Sequence, residues 1–212
     1  KSYLSNQMPR TYATKPSSAI KYWKSRNLVP CEVDIQEIVR KKAILCLRDI
    51  PPKSKGLIML SDSRKLKLNK KIKADWIITS PPYYGMRSYV PDQWLRYWFI
   101  GGPEDVVYSL PENIKHSSVE SFTCDLASVW NSVATYSRPN ATLIIRFGVL
   151  PSSNINAIEV LKNSLKSSSA NWRIYSIKNA GKPDPSRRQA NQFTDTGVSI
   201  DEIDVYARLE SY

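Results

Sequence analysis

The chain predicts an α/β fold, a sheet with helices on both faces that binds its ligand beyond the carboxyl ends of the strands. Three observations predict it. Helical and strand-like periodicities alternate along the chain. The helical segments open on capping patterns, and the segments between elements are rich in Pro, Ser and Asn. A short apolar run, Trp76 to Thr79, stops abruptly at Ser80-Pro81-Pro82-Tyr83, as a buried strand does at the rim of such a sheet.

In chain order, residues 1–33 are polar and basic, interrupted by Pro9, Pro16 and Pro30, and read as an arm distinct from a domain over 34–212. Ser17 to Asn27 mixes aromatic and cationic side chains. Lys21 and Trp23 there suit phosphate contact and base stacking, or Trp23 anchors the arm on the domain. Asp34 and Glu37 open a predicted helix to Asp49, with Ile35, Ile38, Val39, Leu45 and Cys46 on one face and Pro51-Pro52 as its stop. Gly56 to Leu60 reads as a strand closing at Ser61-Asp62-Ser63, and a basic linker from Arg64 to Lys73 leads to the strand at 76–79.

Pro91 to Phe99 reads as an aromatic helix stopped by Gly101-Gly102-Pro103, and 104–115 as a loop. Ser117 with Glu120 predicts a capped helix whose Val119, Phe122, Leu126, Val129, Trp130 and Val133 face inward. A Pro139-Asn140 turn, a strand from Ala141 to Phe147, a helix from Ile155 to Leu165 and a strand from Trp172 to Ile177 follow. Residues 178–198 read as a polar loop, and Glu202 to Leu209 as the last strand.

The 31 Lys and Arg against 19 Asp and Glu give a net charge of +12, a surplus that points to a polyanion, above all nucleic acid. With 42% apolar residues the chain expects a packed core rather than disorder. No apolar run reaches the roughly 18 residues of a membrane span. Cys31, Cys46 and Cys124 lack a C-x-x-C spacing and are expected to be buried free thiols of an intracellular protein. One histidine, His116, argues against a Cys/His metal site and a His-centred triad.

The chemistry concentrates in Asp75-Trp-Ile-Ile-Thr-Ser-Pro-Pro-Tyr-Tyr-Gly85. Two prolines fix the backbone and remove two N–H donors, so neighbouring carbonyls can face outward unpaired. An aromatic ring follows at once. Acceptors beside a ring suit a flat amino-bearing group such as a nucleobase. A Pro-Pro-x-Tyr ligand for a WW domain has the same letters, but such ligands need an exposed extended segment.

On these residues the chain resembles the amino-methylating DNA methyltransferases. Those enzymes carry an acidic-or-Ser/Asn-Pro-Pro-aromatic tetrapeptide after a strand. Here it is Ser80-Pro81-Pro82-Tyr83, extended by Thr79 and Tyr84-Gly85. The resemblance runs on through Asp92-Gln-Trp-Leu-Arg96, Leu143 to Gly148 and the loop Gly181 to Phe193, over roughly residues 55–210. It implies a Rossmann-like SAM-dependent methyltransferase sheet, of which this chain would supply strands three to seven.

The activity it implies is methyl transfer from S-adenosylmethionine (SAM) to the N4 amine of cytosine in DNA, towards which the Ser variant leans. The N6 amine of adenine, an RNA target and a non-catalytic DNA-binding relative are the alternatives. It implies Ser80, Pro81, Pro82 and Tyr83 as the amine pocket, with Tyr83 stacking on a base flipped out of the duplex. Asp62 and Thr79 would lie at the cofactor. Tyr84, Arg87, Arg187, Arg188, Gln189, Lys21 and Trp23 are the DNA contacts expected, with the basic linker on phosphates.

The family's glycine-rich SAM loop is missing, since none of the seven glycines forms a Gly-x-Gly. That loop belongs to a second subunit, to an earlier part of a longer polypeptide of which this is the C-terminal piece, or to neither in a degenerate relative. The intact catalytic half favours the second subunit, and the resemblance further implies double-stranded DNA as partner and no metal or membrane. The implied setting is a prokaryotic restriction–modification system in the cytoplasm, at the nucleoid.

Overall fold

The computed structural model describes residues 16–29, 32–49, 55–85, 98, 100–107, 113–149, 153–181 and 202–211. The described residues group into two compact units, one drawn from 1–58 and 87–110, the other from 59–86 and 111–212. The first holds α1 (Pro16–Ser25) and α2 (Ile35–Leu47). Asp34 caps α2 by accepting the Glu37 N–H at 3.0 Å, as its position before the apolar run requires. Glu37 then pairs with Arg40 and Lys41, one turn on. The apolar stripe of α2 is not turned inward: Ile35, Val39 and Leu45 are all exposed.

The second unit is the sheet. Its elements are β1 (Ala74–Thr79), α3 (Val119–Thr135), β2 (Ser137–Gly148), α4 (Ala157–Lys166), β3 (Trp172–Gly181) and β4 (Glu202–Leu209). The strand order is β1-β2-β4-β3. β1 runs parallel to β2, and β4 is antiparallel to both its neighbours, so β1, β2 and β3 all point one way. The fold class is thus α/β with an open, mixed sheet.

The core follows from the apolar periodicity of α3. Phe122, Leu126, Val129 and Trp130 are buried there, as the 3.6-residue spacing predicts. They meet Leu143, Ile145 and Phe147 of β2, Val205 and Ala207 of β4, and Val160, Leu161 and Leu165 of α4. The polar atoms of the two buried tryptophans are satisfied: Trp130 Nε1 donates to Ser164 Oγ at 2.9 Å and Trp172 Nε1 to the Trp130 carbonyl at 3.1 Å.

Several expectations are corrected. Within this unit α3 and α4 pack on the same face of the sheet, not on two. The reason is topological. β1, β2 and β3 are parallel and advance in one direction, and right-handed crossovers between such strands place their helices on one side. On the opposite face Trp76 is 62% and Ile78 is 74% exposed. The strand expected at 56–60 joins no ladder; the segment is extended, with Leu57, Ile58 and Leu60 fully or largely exposed. Apolar β-formers make a strand only where another edge pairs with them.

Cys124 is exposed, not buried; two residues beyond Phe122, it lies on the outer side of α3. The cap of α3 is Ser118 with Ser121, one residue beyond the Ser117–Glu120 pattern. Pro139-Asn140 does turn, but inside β2: Asn140 adopts φ +64° in a bulge where five residues of β2 span two of β1. Lys178 to Gly181 extend β3 rather than begin a loop. The helix expected over 91–99 lies outside the described residues apart from Trp98.

Candidate functional site at the rim of the sheet

β1 delivers the Ser80-Pro81-Pro82-Tyr83 turn to the rim where β1 and β2 end. Thr79 is half-buried, Ser80 exposed and Pro81 buried. Tyr84 continues the alignment with a parallel bridge to Val149. Because β4 is antiparallel, its first residue Glu202 comes to the same rim, opposite Gly148 and Gly181.

The rim contacts fix both tyrosines. The Tyr83 hydroxyl donates to Glu202 Oε1. Its ring meets Phe147 at 81° with centroids 6.0 Å apart. Tyr84 packs edge-on against Phe122 at 5.3 Å. Gly85 then turns the chain at φ +84°, a conformation that suits glycine. Its N–H donates to His116 Nδ1 at 3.3 Å. His116 also stacks obliquely on Phe122 at 5.2 Å. The turn is therefore gripped on one side by β4 and on the other by the segment leading into α3.

Beside Glu202, Arg146 and Asp204 form a two-pronged pair at 2.8 and 2.7 Å. Hydrogen bonds from Arg146 hold the Asp204 carboxyl below its usual range, against the opposing effect of burial. The same bonds raise the Arg146 guanidinium further, with Glu202 adding to the field.

Asp62 belongs to the same unit. It caps a 3₁₀ turn, Ser63–Lys65, and both its oxygens take hydrogen bonds from Arg64 at 2.9 to 3.2 Å. Those side-chain bonds are the main reason its carboxyl lies below the usual range. Arg64 also reaches Asp125 of α3 at 3.1 Å, and the Lys115 N–H donates to the same Asp125 oxygen. Ser132, Tyr136 and the Thr135 carbonyl of α3's last turn bind Leu66, Leu68 and Lys73. Of the basic linker, Arg64 and Lys73 thus hold the chain to itself, while Lys65, Lys67, Lys70 and Lys71 are exposed.

The structure brings together Thr79, Ser80, Pro81, Pro82, Tyr83 and Tyr84 at one rim. Lys21 and Trp23 belong to α1 in the other unit, where Trp23 lines a groove of about 510 Å³ with Ile20, Lys24, Asn27, Leu28 and Val29. Arg87, Arg187, Arg188 and Gln189 lie outside the described residues. Glu202 and His116 went unread as site residues. They lie 119 and 31 residues from their rim partners, and no local spacing signals such contacts. Among the described residues no group of His, Cys, Asp and Glu is arranged to hold a metal, and no helix is long and apolar enough to cross a membrane.

In comparisons with known proteins, the chain matches no family model and no curated protein.

Proposed function

We propose that this chain is the target-base half of a SAM-dependent DNA methyltransferase that modifies the N4 amine of cytosine. The observation that carries the reading is the Ser80-Pro81-Pro82-Tyr83 turn at the carboxyl rim of a parallel strand. A cytosine amine is a weak nucleophile because its lone pair is delocalised into the ring. The Ser80 hydroxyl and the Pro81 carbonyl are the acceptors that would hold its N–H groups. The Tyr83 ring would stack on the base, an interaction of about 1–3 kcal/mol. Glu202 and Phe147 set that ring before any base arrives, so little ordering is left to binding.

The residues present do not make a SAM cradle. The chain has no Gly-x-Gly, and the Asp62 carboxylate is engaged by Arg64. The cofactor would then be held by a glycine-rich segment outside this sequence, which we propose lies on a second subunit. Three features support one. β1 is an edge strand among the described residues, and an unpaired edge is ready to take a strand from another chain. Trp76 and Ile78 stand exposed on it. The apolar run Leu57 to Leu60 is also exposed, and bare apolar edges of this kind are aggregation-prone unless covered. On this reading the four strands among the described residues belong to the methyltransferase sheet, and the chain works on DNA in a prokaryotic cytoplasm, in a restriction–modification system.

Native mass spectrometry of the complex isolated from its source, combined with photo-crosslinking to labelled SAM, tests the division of labour. The label should fall on the second chain. A monomeric chain that takes the label itself overturns it. Nucleoside analysis names the base, and N6-methyladenine in place of N4-methylcytosine would move the target to adenine.

A further inference from the structure

We infer that the outer surface of β3 and β4 is a platform for single-stranded nucleic acid, separate from the rim. This face lies opposite α3 and α4, and its two halves differ. The β1 half presents Trp76 and Ile78, which are apolar. The β3–β4 half presents Tyr175, Tyr206, Lys178 and Arg208, flanked by Arg146 and Arg173.

The aromatic groups are arranged as a surface. The Tyr175 and Tyr206 rings lie 6.2 Å apart. Lys178 Nζ sits 5.2 Å from the Tyr206 ring centre, and the Arg208 guanidinium 5.4 Å from that of Tyr175. Tyr175 is 53% exposed.

A bulge places it there. Ile174 pairs with Ala207 and Ile177 with Val205, both core-facing, so Tyr175 and Ser176 together oppose Tyr206. The extra residue keeps both isoleucines inward and adds a ring to the outer side, the re-aiming for which bulges are known.

The charge fits a phosphate chain. Four cations, Arg146, Arg173, Lys178 and Arg208, outnumber three carboxylates, Asp204, Glu210 and, at the rim end, Glu202. Asp204 holds Arg146 and also attracts Lys178. Glu210 pairs with Arg173, whose side chain is 74% exposed, a pairing that phosphates can displace at little cost. Rings with cations beside them on an open sheet suit unpaired bases and their backbone. A duplex hides the faces of its bases and gains only the charge.

The inference rests on this surface alone and holds or fails independently of methyl transfer. Fluorescence anisotropy of dye-labelled oligothymidine and oligouridine with the full chain, competed with duplex DNA, tests it; the two oligonucleotides separate DNA from RNA. Tyr175→Ala should weaken binding by about tenfold. Lys178→Gln with Arg208→Gln should flatten the slope of log K against log salt by about 1.4. Cross-linking of an iodouracil oligonucleotide to the unmodified chain should put adducts on Tyr175 or Tyr206, and needs no variant to fold. Unchanged affinity and slope in well-folded variants, equal competition by duplex, or adducts only elsewhere would each overturn the inference.

Discussion

The two faces of the sheet are built to different rules. On one, Leu143, Ile145 and Phe147 have no exposed surface and meet the apolar stripes of α3 and α4. On the other, beside Thr142 and Ile144, which are buried and half-buried, the alternate residues include Trp76, Ile78, Arg146, Tyr206 and Arg208. They either stand in solvent or hold one another through ion pairs and ring contacts. Strand alternation sends successive side chains to opposite faces, so a single stretch of β2 or β4 carries both kinds of information. The first face accounts for this unit's stability. The second is the face that the two proposals above assign to partners.

That contrast predicts a graded series of effects. Trp130→Ala, on the covered face, removes a buried ring and its bond to Ser164, and should cost about 3–5 kcal/mol in denaturant unfolding. Arg64→Met strips Asp62 and Asp125 of their shared cation, whose side chain is only 13% exposed. Loss of its charged hydrogen bonds should cost about 2 kcal/mol. The equivalent change on the bare face, Arg146→Met, removes a pair whose arginine is 52% exposed, and should cost under about 1 kcal/mol. A larger penalty for Arg146 than for Arg64 would break the comparison.

Acid titration reads the same two pairs together. The Asp62 and Asp204 carboxyls both lie below their usual range in the folded chain. Their contribution is therefore present above the unfolded value of about 3.9 and is lost as pH falls through the folded one. Thermal melts should be flat in this respect above about pH 5 and drop below about pH 4, with a smaller drop in Arg64→Met. A melt that rises on acidification would refute the linkage. The smallest effect on folding is expected from Trp76→Ser with Ile78→Ser, under about 0.5 kcal/mol. The same double change should abolish association with the second subunit in a pull-down. Retained association would show that this half of the bare face is not the contact.

The covered face was legible in the sequence. Phe122, Leu126, Val129 and Trp130 recur at helical spacing, and the residues around Pro81 and Glu202 mark strand ends, so α3, β1 and β4 could be placed within about two residues. What could not be read depended on neighbours. Gly56 to Leu60 has strand composition, yet pairing requires another edge, and composition does not reveal whether one exists. Within the sheet unit α3 and α4 share one face because strand direction, not periodicity, sets the side on which a crossover falls. The site was legible as a tetrapeptide and illegible as an assembly. Ser80 to Tyr84 announces itself, whereas the grip of Glu202 on Tyr83 and of His116 on Gly85 closes only in the folded chain.

The most direct measurement is nucleoside mass spectrometry of DNA incubated with SAM and the native complex, carrying either the unmodified chain or its Tyr83→Ala variant. The account predicts N4-methylcytosine with the first and at least about tenfold less with the second, the loss of one base-stacking contact. No methylated base with the unmodified complex, or equal methylation by both, would contradict it.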